Sequence, residues 1–508
     1  MGNQFLFKST DDGDHWQKIS PDLSGKIAGA KDYTYPDQTQ ARAAGYGVIF
    51  SIAPSPVSEG VIWVGTDDGL IQLTTDGGKH WKNVTPSTVP MWARVDAIDP
   101  SPFSIHAAYV AMNTHRLGYS KPLILKTTND GRTWQTITNG ILADEFVNVV
   151  RTDPVKKGLL YAGTNRSVYV SFDDGENWQP LTLNFPTTCV NDLVVHDGDL
   201  VAGTQGRAIW ILDDVEPLRE TTAKLASESV HLFHLADAWR VRADENKDTP
   251  WPPETALGQN PPTGAIVDYW LKDNVQGPVT LTIRDSKGNI VRKFSSQEEQ
   301  ENLPAHRYFQ KGWIHPEEQL AATAGMHRFV WGLRYPRPSA LRYEYSIAAV
   351  WTEGTPLDPE GPLVLPGKYT AALTVAGKDY SQPFVVKLDP RVHVSENALQ
   401  AQLKLAKSID AAIEQAVSAH NTINDVLKEK KGSIPTATAD TLFALADRGQ
   451  PSLASVAGVL TGLETAVQGA DAAPAQGESD VYSHYRKELD GLLARWHAVE
   501  ASMTKSGK

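Results

Sequence analysis

Thr74-Thr-Asp76-Gly-Gly78-Lys-His-Trp81 and Ser171-Phe-Asp173-Asp-Gly175-Glu-Asn-Trp178 are two copies of one phrase, Ser/Thr-x-Asp/Asn-x-Gly-x-x-Trp. The other two are Ser9-Thr-Asp11-Asp-Gly13-Asp-His-Trp16 and Thr127-Thr-Asn129-Asp-Gly131-Arg-Thr-Trp134. The tryptophans stand 65, 53 and 44 residues apart, room for one four-stranded sheet per repeat with connections of varying length. The Asp or Asn side chain accepts hydrogen bonds from backbone N–H groups just ahead of it. The glycine supplies a positive φ, and the tryptophan packs back on the neighbouring sheet. Strand-like residues precede the turns, as in Leu70-Ile-Gln-Leu73 and Val168-Tyr-Val170, so each phrase reads as a hairpin.

A second phrase lies upstream: Trp63-Val-Gly65-Thr66-Asp67-Asp68-Gly69, Tyr161-Ala-Gly163-Thr164-Asn165-Arg166 and Val201-Ala-Gly203-Thr204-Gln205-Gly206-Arg207. It reads as a strand end and a tight turn. Apolar runs such as Val48–Ala53 and Phe146–Val150 come before it and read as inner strands. The order within a blade is then inner strand, Gly-Thr strand, third strand, tryptophan turn, outer strand. The expectation is a partial β-propeller of about four complete blades and one incomplete blade, since Ser9 leaves room for a single strand ahead of it. A propeller closes to protect its edges, so further blades are expected N-terminal to this chain or from another chain.

These residues resemble the bacterial neuraminidase repeat, or Asp-box, and more closely the secreted bacterial proteins described as glycosyl hydrolase or sortilin-like. Gly158-Leu-Leu-Tyr-Ala-Gly-Thr164 and Gly203-Thr-Gln-Gly-Arg-Ala-Ile-Trp-Ile-Leu-Asp-Asp214 carry that likeness, which covers roughly residues 1–395. It implies an extracellular or periplasmic protein acting on or binding carbohydrate at the propeller funnel. The alternative is a non-catalytic protein-ligand binding or scaffold module. The sequence lacks the Arg-Ile-Pro of sialidases and the cysteines of eukaryotic sortilins, and it has Gln205 where the group carries His in Thr-His-Gly-Arg.

Beyond the propeller (residues 1–218), Pro-rich stretches at 249–253 and 260–262 read as loops. Short alternating segments follow: Ala265–Trp270, Val279–Ile283, Arg328–Trp331, Tyr369–Val375 and Phe384–Leu388, with turn signals at Asp285–Gly288 and Leu365–Lys368. They predict an immunoglobulin-like or fibronectin-like β-sandwich over 228–392. From Ser395 the period becomes helical, with Leu399, Leu403, Ile409, Ile413, Val417, Ile423 and Leu427 in one stripe, stopped by Gly432 and Pro435. Leu453–Leu463 and Leu489–Val499 predict two more helices across a linker at 468–479. A small α-helical bundle over 395–505 results, its stripes read as core. The fold class is thus mainly β, with a helical tail.

A chain of 508 residues with net charge −12 exceeds one core and has no basic runs for phosphates, so no nucleic acid is expected. The lone Cys189 cannot form an internal disulfide. Neither a signal peptide nor a membrane span is legible. No zinc spacing, phosphate loop or Gly-x-Ser-x-Gly turn occurs, so no metal or cofactor is expected.

Within a blade, alternate connections fall at opposite ends, so the turns after Gly-Thr and the links into inner strands share the end opposite the tryptophan turns. That end supplies the candidate ligand residues Arg42, Tyr46, Trp92, Arg94, His115, Arg116, Arg166 and Arg207. Glycoside hydrolysis needs two opposed carboxylates, and Asp67 or Asp68 with Asp144 or Glu145 are the candidates for it. Asp and Asn after Gly-Thr also suit a tight turn, and the arginines also suit pairing with a neighbouring carboxylate.

Overall fold

The computed structural model describes residues 3–26, 37–242, 252, 254–299, 314, 318–345, 355–429 and 434–506. It divides into two compact units, Met1–Thr222 and Ala223–Lys508.

In the first unit three sheets each run four antiparallel strands in chain order. They are Ile49–Pro54, Ile62–Thr66, Ile71–Thr74 and Lys82–Asn83; then Arg94–Pro100, Ala108–Asn113, Ile124–Thr127 and Gln135–Thr136; then Val147–Thr152, Leu160–Thr164, Val168–Ser171 and Gln179–Pro180. The hairpin Phe7–Lys8 with Gln17–Lys18 precedes them, followed by a short helix, α1 (Gln38–Ala44), capped by the Asp37 side chain. A three-stranded sheet, Val190–His196, Asp199–Thr204 and Ile209–Leu212, comes last. Three complete four-stranded sheets are therefore described, where four complete blades are expected from the sequence. No fifth tryptophan turn follows Leu212, and the chain instead enters α2 (Glu216–Glu220), whose first turn holds Pro217.

The four tryptophan turns share one hydrogen-bond pattern. In the last, Ser171 Oγ donates to Asp173 Oδ1 at 2.8 Å, and the N–H groups of Gly175 and Asn177 donate to Ser171 Oγ (2.9 Å) and Asp173 Oδ1 (2.8 Å). The same bonds recur at Ser9/Asp11, Thr74/Asp76 and Thr127/Asn129. The indole then reaches the previous sheet: Trp81, Trp134 and Trp178 donate to the carbonyls of Ile19, Val84 and Ile137, each one residue past an outer strand. Trp16, with no described sheet before it, is 52% exposed. Repeated docking of this kind stacks apolar strands such as Val147–Thr152 and Leu160–Thr164 into a shared core with Tyr109, Ile124 and Val168.

One joint gives a sharp prediction. Gly140 has φ +96°, and a Cβ there would lie 2.1 Å from the Trp178 carbonyl oxygen. Gly206, at φ +81°, has open space. Gly140→Ala should cost about 3 kcal/mol in urea unfolding, from strain plus the clash with backbone, and Gly206→Ala only about 1. Equal losses would mean that the sheet-to-sheet contact contributes nothing.

Among its described residues the second unit holds two larger sheets, besides the two-stranded pair Glu344–Tyr345 with Leu357–Asp358. Val230–Leu232, Ala265–Leu271 and Gly325–Trp331 form one; Ala238–Arg240, Lys378–Leu388, Gly367–Val375, Val279–Asp285 and Ile290–Ser295 form the other, in those spatial orders. Inward residues from both, including Val267, Tyr269, Leu281, Phe329, Trp331, Leu373 and Val386, build one core. Among the described residues four α-helices follow: α3 (Glu396–Glu429), α4 (Thr436–Phe443), α5 (Leu453–Val467) and α6 (Gln476–Ser506). The sequence pattern does not announce α4 or the wide turn Ala444–Arg448 behind it, and α6 begins inside the expected 468–479 linker. Ile409, Ile413, Val417, Leu453, Leu460, Leu489 and Trp496 fill the helical core, whereas Leu403 of the expected stripe stays partly exposed. Gly432 and most of the Pro-rich stretch at 249–253 lie outside the described residues.

Candidate functional site

Strand register separates the two ends of the first unit's sheets. Ile49 pairs with Thr66, Arg94 with Asn113, Val147 with Thr164 and Val190 with Thr204, so inner-strand starts and Gly-Thr ends share a rim. Thr74 pairs with Ile62, at the far end of the same strands, which places the tryptophan turns opposite.

All four inner strands break register at the same point, between Ile49 and Ser51, Val95 and Ala97, Val147 and Val149, and Val190 and Asp192. Such a bulge adds a residue opposite a single partner and re-aims its side chain. The residues in the bulges are Phe50, Asp96, Asn148 and Asn191. They join a polar row across the sheets. The Arg94 guanidinium lies 4.5 Å over the Phe50 ring and donates to Asp96. Asn113 Nδ2 donates to Asn148 Oδ1 at 3.1 Å, and Asn148 Nδ2 reaches Cys189 Sγ (3.3 Å) and the Val190 carbonyl (3.0 Å). Cys189 Sγ in turn faces Asn191 Oδ1 at 3.5 Å. Burial pushes the Asp96 carboxyl up against the pull of Arg94, and burial also raises the Cys189 thiol, so neither is poised as a nucleophile.

The predicted carboxylates are committed elsewhere. Asp68, fully buried, accepts from Arg42 Nε at 2.8 Å and from the Thr66 hydroxyl. Glu145, also buried, accepts from Thr164 Oγ1 at 2.6 Å. Asp67 Oδ1 accepts the Val48 N–H at 2.8 Å, and Asn165 Oδ1 accepts the Phe146 N–H at 3.1 Å in the corresponding turn. An amide therefore does the same job as the Asp67 carboxylate, which burial pushes up. Asp144 pairs with Arg166 at 2.9 Å on the surface.

Of the other predicted residues, Trp92 holds φ +66° and donates its indole N–H to the Gln38 carbonyl at 2.8 Å. His115 stacks on Phe146 with centroids 4.8 Å apart, in a turn closed by Gly118. Arg116, next to it, is exposed, and its charge pulls against the burial that raises Asp67 and Asp96. Tyr46 is half exposed at the end of α1. Arg207 lies exposed in the 204–208 turn, its carbonyl accepting the Trp210 indole N–H at 2.9 Å. The structure thus brings together Arg42 with Asp68, Arg166 with Asp144, and Arg94 with the bulge row. Sequence reasoning missed Asp96, Asn148 and Asn191. Their signal was a polar side chain directly after a valine near the start of three of the four inner strands: Val95-Asp96, Val147-Asn148 and Val190-Asn191.

Among the described residues no group of three or more His, Cys, Asp or Glu could hold a metal ion. No helix among them is long and apolar enough to cross a membrane.

No protein-family model matches the sequence, and no curated protein does. Solved structures similar to parts of it include YCF48 from Cyanidioschyzon merolae, 20% identical over 33% of this chain and 54% of that one, with a TM-score of 0.26. An ancestral GH74 enzyme is 14% identical over 75% of this chain and 43% of its own, at 0.29. The GH74 xyloglucanase from Xanthomonas campestris is 14% identical over 70% and 47%, at 0.26. The chain spans about half the length of each of these. Likeness this distant fixes no activity.

Proposed function

We propose that the first unit belongs to an Asp-box β-propeller, of the sortilin-like or glycosyl-hydrolase-like kind, that binds carbohydrate on its Gly-Thr rim without cleaving it. In the same reading residues 228–392 are an immunoglobulin-like sandwich, 395–505 a helical bundle, and the protein works outside the cytoplasm. The observation that carries the binding reading is the commitment of Asp67, Asp68, Asp144 and Glu145 to turn hydrogen bonds or arginine pairs. A retaining glycosidase needs two carboxylates about 5 Å apart, and an inverting one a wider pair, free to face the sugar. Amides suit sugar hydroxyls because each offers both donors and acceptors: Asn191 is exposed, Asn148 keeps a second lone pair on Oδ1 beyond its bond from Asn113, and Phe50, in the first sheet of the row, is 49% exposed.

A glycan array and a hydrolysis screen test this. Wild-type protein should bind a glycan without turnover, and Asn148→Ala with Asn191→Ala should weaken binding about tenfold or more, two lost hydrogen bonds at roughly 1 kcal/mol each. Turnover that vanishes in Asp144→Ala/Glu145→Ala would restore the hydrolase. Binding confined to polypeptides would favour a protein ligand instead.

A further inference from the structure

The second unit carries a groove of about 600 Å³, open to solvent, between its sheets and α3. Lys287, Lys404 and Lys407 line it, over a floor of Leu365 and Leu403, with Ser408 alongside. None of the residues lining it is a carboxylate, although the chain as a whole has net charge −12. Leu403, expected in the helical core, contributes to this floor instead.

One of the three ammonium groups stands on a prepared support, and the backbone that carries a second is fixed. Lys407 Nζ lies 3.6 Å from the centre of the Tyr335 ring, a cation–π contact that fixes its position. Lys287 sits in a turn held by Asp285, whose Oδ1 accepts the N–H groups of Lys287 and Asn289, both at 2.9 Å. That carboxylate is also bonded to the Asn289 side chain at 3.0 Å. The other acids nearby are engaged or turned inward: Glu396 accepts from Gln400, Glu414 from the Ser339 N–H, and Asp410 is largely buried. Three cations surround an apolar strip with no carboxylate among the lining residues; Asp285 and Asp410 act on Lys287 and Lys407 from outside the lining and neither is set against Lys404, which leaves a local positive field.

We propose that this groove binds an acidic oligosaccharide, the C–H faces of its sugar rings on Leu365 and Leu403 and its uronate carboxylates on Lys287, Lys404 and Lys407. An acyl chain would need an enclosed slot, and nucleic acid would find no aromatic ring among the lining residues to stack on. The site is in the second unit and does not rest on the rim reading.

Calorimetric titration of the full chain with an oligogalacturonate, against a neutral oligogalactan of equal length, tests it. The acidic probe should bind and the neutral one should not. Affinity should fall as salt rises from about 50 to about 300 mM, because the screening length shortens. Lys287→Ser with Lys404→Glu, both exposed positions, should weaken binding at least about tenfold at an unchanged melting temperature. Asn148→Ala/Asn191→Ala should leave this binding intact. Equal binding of both oligosaccharides, an unaffected lysine variant, loss in the rim variant, or binding only to anionic phospholipid vesicles would each overturn the proposal.

Discussion

Acidification from about pH 8 to about pH 5 is expected to raise the unfolding temperature of the Ala223–Lys508 unit. Glu464 on α5 is almost wholly buried, and burial, reinforced by Asp410, pushes it up to about 8 from the 4.5 of an ordinary glutamate. Asp410 on α3 is pushed up to about 7, by burial and then by the charge of Glu414, against Lys407. Gln468 donates to Glu464, and Arg334 and Glu360 act on it from the sheet side. A carboxyl raised on folding holds a proton that the unfolded chain releases. Its stabilisation is fully present below the ordinary carboxylate range and is lost as pH climbs through 7 and 8. A tenfold difference in proton affinity between the folded and unfolded chain is worth about 1.4 kcal/mol, so the pair contributes on the order of several kcal/mol across that window.

Asp389 and Asp471 move the other way. Arg391 holds the Asp389 carboxyl at about 2, and at Asp471 burial is outweighed by Arg240 and Arg242, so both lose their contribution only in stronger acid. Differential scanning calorimetry at both pH values reads the effect. Glu464→Gln keeps the acceptor for Gln468 without the charge, so it should melt higher than wild type at about pH 8 and flatten the pH profile. A wild-type unit that melts lower at about pH 5, or a variant with an unaltered profile, would refute the assignment.

The second large effect is expected at Asp471. Its Oδ1 receives Arg240 Nη2 at 2.6 Å and Arg242 Nε at 2.8 Å, with the Arg240 and Asp471 side chains 2% and 4% exposed. Arg240 ends a strand, Arg242 follows it, and Asp471 lies in the connection after α5, so one carboxylate holds strand Ala238–Arg240 against the helical part. Asp471→Ala leaves two guanidinium groups without their counter-charge and should cost about 3–5 kcal/mol. Asp471→Asn should recover part of that through the retained carbonyl. Urea unfolding followed at Trp239 and Trp496 reads both; a loss under about 1 kcal/mol for Asp471→Ala would mean that water replaces the carboxylate.

The repeat was legible because its chemistry is local. Ser171, Asp173, Gly175 and Trp178 lie within eight residues, and the hydrogen bonds that shape the turn run between them. Strands such as Ala265–Leu271 and the long helix α3 were legible because burial imposes a period on the chain. The candidate site was less so. The preference for Asp67, Asp68, Asp144 and Glu145 followed from their place on the rim, but whether a carboxylate is free depends on partners 19 to 26 residues away, Val48, Arg42 and Thr164. The bulges were invisible because an extra residue shows only once two strands are in register. Leu403 misled because one stripe of a long helix serves a core over part of its length and a groove over another.

Change at this rim is decoupled from folding by the shared bulge. Phe50, Asp96, Asn148 and Asn191 occupy one position in four sheets and differ as an aromatic ring, an acid and two amides, while the strands on either side keep the same pairing. Backbone geometry sets where these side chains go, and it accommodates a ring, an acid or an amide there. On the proposed reading, single-codon substitutions at Phe50 and Asn191, the two exposed bulge positions, should redraw ligand preference while the scaffold stays as it is.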